Sequence, residues 1–419
     1  MIPKKNVLIV NGSFAGGGAN QIAHTLYESL KSQYRMSGLV GDRYMPDSNI
    51  YSMATNHFLY PQLEKFALYA SILTGAQYLA GKYLLNRNYK SLASIKAYTQ
   101  ADLIHLHNLH GMNFNLDLLP QISATKPVIW TLQDEWSFTG HCAKTMRCIK
   151  WQEAECQNCP FLRRYSPIYL DTSNYFYRRK RSLYQKSSFH LVAASNWLAS
   201  KIKSSILAKF PLSVIHNGAD TDIFKPANRK ALKQKLGLPQ GKFVISFIAN
   251  HGNKNPWKGS QFVQEIVRRK VSPDFLFLSI GNPLANKVSR NYWELPFIGD
   301  RSRLAEYYAA SDILIHPSLA DTCPLTVFEA LACGTPVVAF STEGIVEMID
   351  HRKDGYLAGY KDIDDLIKGI NFFYDNPEKR KAAGTLGRRK VVKSFTLKHM
   401  VKKYSDLYSS VLRSQRTGL

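Results

Sequence analysis

The sequence predicts an α/β protein made of two doubly wound domains, each a parallel sheet covered by helices. Three observations predict it. The chain has 419 residues, 45% of them hydrophobic, which is enough for two separate cores. Short apolar runs alternate with stretches of helical periodicity in both halves. A polar segment with Gly and Pro, Asn217 to Pro226, lies between the halves as a linker.

The elements follow in order. Val7–Val10 reads as a buried strand, followed by a glycine-rich turn from Gly12 to Gly18. Ala19–Gln33 has Ile22, Ala23, Leu26 and Leu30 on one helical face. Leu103–Leu106, Val128–Leu132, Leu191–Ala194 and Val214–His216 complete the strands of the first half. In the second half the strands are Phe243–Ala249, Phe275–Ile280, Ile313–His316 and Val337–Phe340. Its helices are Ser260–Arg269, Arg303–Ala310, Thr326–Cys333 and Ile363–Tyr374. From Glu378 to Leu412 the chain reads as basic helix. The expected divisions are 1–222 for the first domain and 223–390 for the second. Residues 391–419 are expected to form a helix packing back on the first domain.

Composition narrows the function. No window reaches the ~18 apolar residues of a membrane span. The chain start runs directly into the first strand without signal-peptide features, so a cytoplasmic protein is expected. The formal net charge of +24 points to polyphosphate-bearing substrates, anionic lipid or nucleic acid. No Asp or Glu occurs between Glu64 and Asp102, or between Asp171 and Asp220. No helix-turn-helix, zinc-finger or ribonucleoprotein string is present, so nucleic acid is not an expected partner.

Open parallel sheets bind ligands at the carboxyl ends of their strands, and the motifs sit there. After the strand Ile313–His316 come Asp321, Pro324, Leu325, Thr326 and Glu329, then Ala330 to Gly334 and Pro336-Val337-Val338. Pro324 suits a helix start. The N–H groups of Leu325 and Thr326 then form an end that favours anions and sugar hydroxyls. Glu329, a turn further on, is placed to accept hydrogen bonds from vicinal hydroxyls. This string resembles the signature of the family 4 glycosyltransferases, retaining enzymes of the GT-B fold, in which two acids are separated by seven residues. The first acid is usually Glu there and is Asp321 here, which departs from the pattern. Similarity extends to Phe297–Asp300, Ala310–Asp312, Gly344–Glu347, Asp354–Leu357 and Val214–Pro226. The string Val128–Cys142 resembles a subgroup of these enzymes that assembles polysaccharides of the colanic-acid type.

The resemblance implies two Rossmann-like domains facing across a cleft. It implies a hexosyltransferase that moves sugar from a UDP- or GDP-sugar to a glycan or lipid-linked glycan, without a divalent metal. It places Lys258, in Lys258-Gly259, on the donor diphosphate. The family's Arg position falls on Asn250, a second departure, with His251 or Lys254 as substitute cations. Gly17 and Gly18 line the site opposite the donor in this reading, although the local string alone also suits a flexible turn. Two other readings stand beside transfer: a sugar-nucleotide epimerase of the same fold, and a non-catalytic scaffold that binds nucleotide sugar or membrane.

Three histidines, His105, His107 and His110, fall at one strand end. Alternation places His105 and His107 on one face, with His107 nearer the carboxyl end. The family carries a histidine here that contacts the donor sugar or assists the reacting groups. His107 is the first candidate and His110 the second.

Four of the six cysteines, Cys142, Cys148, Cys156 and Cys159, lie close together. Soft ligands in this number suit a structural zinc site, with His141 as a spare. Free thiols and a redox role are the alternatives. Finally, the stripe Phe66, Tyr69, Ala70, Leu73, Gln77 and Ala80, with the basic run at Tyr175–Arg181, suits an anionic bilayer or else a solvated basic face. A peripheral position on the inner face of the plasma membrane is the matching expectation.

Overall fold

The computed structural model describes residues 3–41, 47–52, 92–110, 114–163, 167–249, 256–282 and 287–414. The apolar stripe between Phe66 and Ala80, and the positions Asn250, His251 and Lys254, lie outside the described residues. By internal contacts the chain divides into two units, Met1–Ile215 with Val401–Leu419, and His216–Met400.

The first unit holds a seven-stranded sheet. Its strands are β1 (Asn6–Asn11), β2 (Arg35–Val40), β3 (Ile50–Ser52), β4 (Leu103–Leu106), β5 (Val128–Leu132), β6 (His190–Ala193) and β7 (Leu212–Val214). Their order is β3-β2-β1-β4-β5-β6-β7, and every pairing among the described residues is parallel. The apolar runs of β1, β4 and β5 are buried throughout their length, as a sheet covered on both faces requires. Alternation divides their side chains. Leu8, Val10, Ile104, Leu106, Trp130 and Leu132 enter one core with Tyr184, Phe189 and Leu198. His105 and Thr131 face the other way and meet Tyr404 and Tyr408 of the C-terminal helix Leu397–Ser414.

The second unit holds the strands β8 (Phe243–Ile248), β9 (Phe275–Ile280), β10 (Lys287–Val288), β11 (Tyr292–Leu295), β12 (Ile313–His316), β13 (Val337–Phe340) and β14 (Gly355–Ala358). The order is β10-β11-β9-β8-β12-β13-β14, with only β10 antiparallel to its neighbour among the described pairings. Helix starts are capped as their sequences dictate. Asp300 accepts from Ser302 N at 2.9 Å before the helix Arg301–Ala310. Asp362 accepts from Asp365 N at 2.9 Å before Ile363–Tyr374.

Both sheets are doubly wound, and each has one point where the strand order reverses: β1/β4 in the first unit, β8/β12 in the second. Ligands of such sheets bind outside the carboxyl ends at that point. The long basic helix expected from Glu378 onward is two helices, Pro377–Ser394 and Leu397–Ser414. The break falls where Ala219 pairs with Phe395 and Leu397 through its backbone N–H and C=O. No described helix is long and apolar enough to cross a membrane.

Candidate functional site

In the second unit the loops after β8 and β12 are clamped together. Gly259 has φ +77°, and a Cβ there would lie 1.9 Å from the carbonyl oxygen of Pro317. Only glycine lets the two loops approach this closely. Leu319 N donates to Trp257 O at 2.7 Å, and Ser318 Oγ donates to the same oxygen at 3.0 Å. The clamp brings Lys258 Nζ onto the Asp321 carboxylate at 2.5 Å. His316, at the carboxyl end of β12, places Nε2 3.4 Å from Asp321 and Nδ1 3.4 Å from the hydroxyl of Thr326.

The helix Leu325–Ala332 starts beside this cluster, with Pro324 as its N-cap. Between residues 311 and 333 only Leu325 and Thr326 are not fully buried. The first-turn N–H groups therefore open where the cation and carboxylate sit, which suits an anionic or polyhydroxyl ligand. Glu329 is buried and accepts from Tyr308 Oη at 3.1 Å, with Arg301 3.6 Å from its other oxygen. Burial raises its pKa, and the charge of Arg301 and the Tyr308 hydrogen bond only partly offset that. A carboxylate has about four lone-pair sites, so acceptor capacity remains for a ligand hydroxyl.

In the first unit the reversal point is built from the turn after β1 and the turn after β4. Gly12 N donates to Asn108 O at 3.1 Å, and Asn108 N donates to the side chain of Asn11 at 3.1 Å. Gly17 is the N-cap of the helix Gly18–Leu30. A Cβ at Gly17 would meet nothing within 4 Å, so packing does not explain the glycine. Its surroundings are open to an approaching group.

The two candidate histidines occupy opposite environments. His107 is 1% exposed, and neither ring nitrogen has a hydrogen-bond partner among the described residues. Burial lowers its pKa to about 3, so the ring is neutral. An unpaired buried polar group costs about 1–3 kcal/mol. His110 pairs with Asp134 at 3.0 Å. Burial opposes its charge, but the charge of Asp134 and the hydrogen bond to it prevail, and the pKa is raised. Burial likewise opposes charge on Asp134, yet His110 holds its pKa below the usual carboxylate value.

The four clustered cysteines are free. Cys156 Sγ accepts from Gly140 N at 3.2 Å, and Cys159 Sγ lies 3.3 Å from His141 Nε2. Among the described residues no group of three or more His, Cys, Asp or Glu side chains is arranged to hold a metal ion. Burial pushes the Cys156 thiol up to about 11.

Sequence reasoning placed Lys258, Asp321, Pro324, Leu325, Thr326 and Glu329 in one neighbourhood, and the structure brings Lys258, Asp321 and Thr326 around His316. It missed His316, Arg301 and Tyr308. His316 carried a usable signal, because it ends a buried strand as the other histidine cluster does.

Residues 228–390 match the family described as Glycosyl transferases group 1. A colanic acid biosynthesis glycosyl transferase of Escherichia coli K12, WcaC, is 26% identical over 381 residues, covering 87% of this chain and 89% of that protein. The UDP-Gal:alpha-D-GlcNAc-diphosphoundecaprenol alpha-1,3-galactosyltransferase of Escherichia coli is 30% identical over 218 residues. That match covers 49% of this chain and 56% of the relative. Sucrose-phosphate synthase of Thermosynechococcus elongatus has the same fold, with a TM-score of 0.73 at 15% identity over 98% of this chain and 100% of that one.

Proposed function

We propose that this chain, a glycosyltransferase whose residues 228–390 belong to the group 1 family, transfers a hexose from a UDP- or GDP-sugar to a lipid-linked glycan with retention of configuration and without a divalent metal. The observation that carries the reading is the clamped Lys258–Asp321 pair at the reversal point of the second sheet. The name of the galactosyltransferase relative, with its UDP-linked donor and diphosphoundecaprenol acceptor, supports the choice of substrates.

The residues divide the work as follows. Lys258 exchanges Asp321 for the donor diphosphate, and its fixed charge stabilises negative charge growing on the leaving group. Asp321, released, accepts hydrogen bonds from the sugar hydroxyls. The first-turn N–H groups of Leu325 and Thr326 face the phosphates, and Glu329 takes the ribose hydroxyls. The bond from the anomeric carbon to the phosphate oxygen breaks as the acceptor oxygen bonds to the same face. The acceptor proton passes to the departing phosphate oxygen, so no dedicated base is needed. Neutral His107 suits a contact to the sugar, since a general base works best with a pKa near the operating pH.

The acceptor's lipid carrier gives a reason for the exposed apolar residues near the basic run. Leu170 and Tyr175 are 59% and 48% exposed. Tyr175 borders a depression of about 410 Å³ with Asn174, Arg178, Arg179, Ser182 and Leu183. Glu155 pairs with Arg178 and Arg181, which tempers the local charge. We place this face against an anionic bilayer on the inner side of the plasma membrane.

A thermal-shift screen against UDP- and GDP-sugars tests the donor. A ligand at a hundredfold its Kd adds about 2.7 kcal/mol, and Lys258→Ala should abolish the shift. If no nucleotide sugar raises Tm and none is consumed in the presence of EDTA and lipid-linked acceptor, the reading fails.

A further inference from the structure

The buried network behind His107 gives the C-terminal helix a role of its own. His105 is fully buried, and both ring nitrogens are engaged. Nδ1 lies 2.5 Å from Tyr408 Oη, and Nε2 lies 2.8 Å from Thr131 Oγ1. Thr131 Oγ1 is in turn 3.0 Å from Tyr404 Oη. A neutral imidazole has one N–H and one lone pair, so its neighbours decide the tautomer. Among the described residues Tyr408 Oη has no other acceptor for its proton, so it donates to Nδ1. His105 therefore carries its proton on Nε2 and donates to Thr131. Its ring can neither flip nor change tautomer without leaving a buried group unpaired.

His107 rests on that fixed ring. The two ring centroids are 4.1 Å apart. The main chain of His107 is held by its N–H to Val10 O at 2.9 Å and by Trp130 Nε1 to its carbonyl at 2.9 Å. Its side chain has no hydrogen bond of its own among the described residues, so its orientation depends on packing, and His105 supplies one wall.

We propose that Tyr408 is a positioning residue for His107, acting through the locked ring of His105. The inference rests on the reading that His107 faces the transferred sugar. Tyr408 and Tyr404 stand one turn apart on the C-terminal helix, and both anchor to the β4 and β5 side chains at the end of the sheet where the candidate site lies. That helix thus holds a sugar-contacting group in register without touching substrate.

The test is Tyr408→Phe, which keeps the ring and removes only the hydroxyl. Nitrogen-15 spectra of the histidine rings report the tautomer, and steady-state kinetics separate kcat from KM. The wild-type spectrum should show His105 as the Nε2–H tautomer, and the variant should show a mixture. We expect kcat to fall about tenfold with donor KM within about twofold, because orientation of a contact made in the transition state is lost. Thr131→Val, which removes the other anchor, should behave alike and serves if Tyr408→Phe folds poorly. Tyr34→Phe is the control. It loosens the helix at Ser405 and Ser409 without reaching His105, and should leave kcat unchanged. An unchanged tautomer, or a kcat within about twofold of wild type, overturns the proposal. If the wild-type chain transferred no sugar, the functional reading would fall, while the ring spectrum would still decide whether the lock exists.

Discussion

Lys258 and Asp321 meet because residue 259 has no side chain. A Cβ at Gly259 would collide with Pro317 O, and its φ of +77° is a conformation that L residues rarely adopt. Gly259→Ala should therefore cost at least the about 1–3 kcal/mol of a strained backbone, lower the urea midpoint, and weaken UDP binding. Urea unfolding with a UDP titration of the same sample checks both. An unchanged midpoint with wild-type UDP affinity would mean that the clamp is not needed.

The same ion pair makes a prediction whose two halves have opposite signs. Under the proposed function, Asp321 competes with the donor phosphate for Lys258. Asp321→Asn should release the lysine and tighten binding of UDP alone, read by calorimetry. It should also lower kcat, because the sugar hydroxyls lose a charged acceptor. Lys258→Ala should lose both, with kcat/KM down about 10²–10³-fold as for removal of one preorganised donor. Weaker UDP binding in Asp321→Asn would show that the carboxylate supports the nucleotide rather than competing with it.

Much of this was legible in the sequence, for identifiable reasons. The central strands are continuous apolar runs, so β1, β4, β5, β8, β9, β12 and β13 could be read directly. β2 escaped because Arg35, Ser37 and Gly38 break its apolar run. β11 escaped because every residue in it is only half-buried. The break between the last two helices depends on Gly218, whose absent Cβ lets Thr396 O approach to 2.5 Å of where it would lie. No local pattern announces such a contact. The site divides the same way. Asp321, Thr326 and Glu329 share one short string with Pro336 and were found together. Arg301 and Tyr308 reach Glu329 from a different helix, so only the fold could reveal them.

His110 and Asp134 set a pH window. The pKa of His110 is raised, so its contribution is full below the ordinary histidine value of about 6.5 and is lost as pH rises through the folded value. The pKa of Asp134 is lowered, so its contribution is present above about 3.9 and is lost as pH falls through its folded value. The pair should therefore stabilise most between about pH 4 and 6.5. Asp134→Asn should cost about 1.5–3 kcal/mol at pH 5.5, the worth of a charged hydrogen bond, and less at pH 9. Chemical denaturation of both proteins at the two pH values checks this. An equal loss at both would show that the histidine is not charged.

Lys180 should give the opposite slope. It is 2% exposed and donates to Trp136 O at 2.5 Å and Thr139 O at 3.0 Å, with its nitrogen 3.7 Å above the centre of the Trp136 ring. Burial lowers its pKa to about 7, so the folded chain prefers the neutral amine. Its contribution is present above the unfolded value near 10.4 and is lost as pH falls through about 7. Lys180→Met keeps an unbranched chain but removes the titration. The carbonyls of Trp136 and Thr139 then lose a partner at every pH, a constant cost. The pH-dependent part should appear as wild-type stability gaining on the variant by up to about 1.4 kcal/mol per pH unit between 7.5 and 9.5. Below about pH 6 the difference should be flat, because both folded and unfolded lysine are then charged. Urea midpoints for the two proteins across that range measure the slope directly. A difference that stays level from pH 6 to 9.5 would mean that Lys180 keeps its charge in the core, held by the two carbonyls and the Trp136 ring.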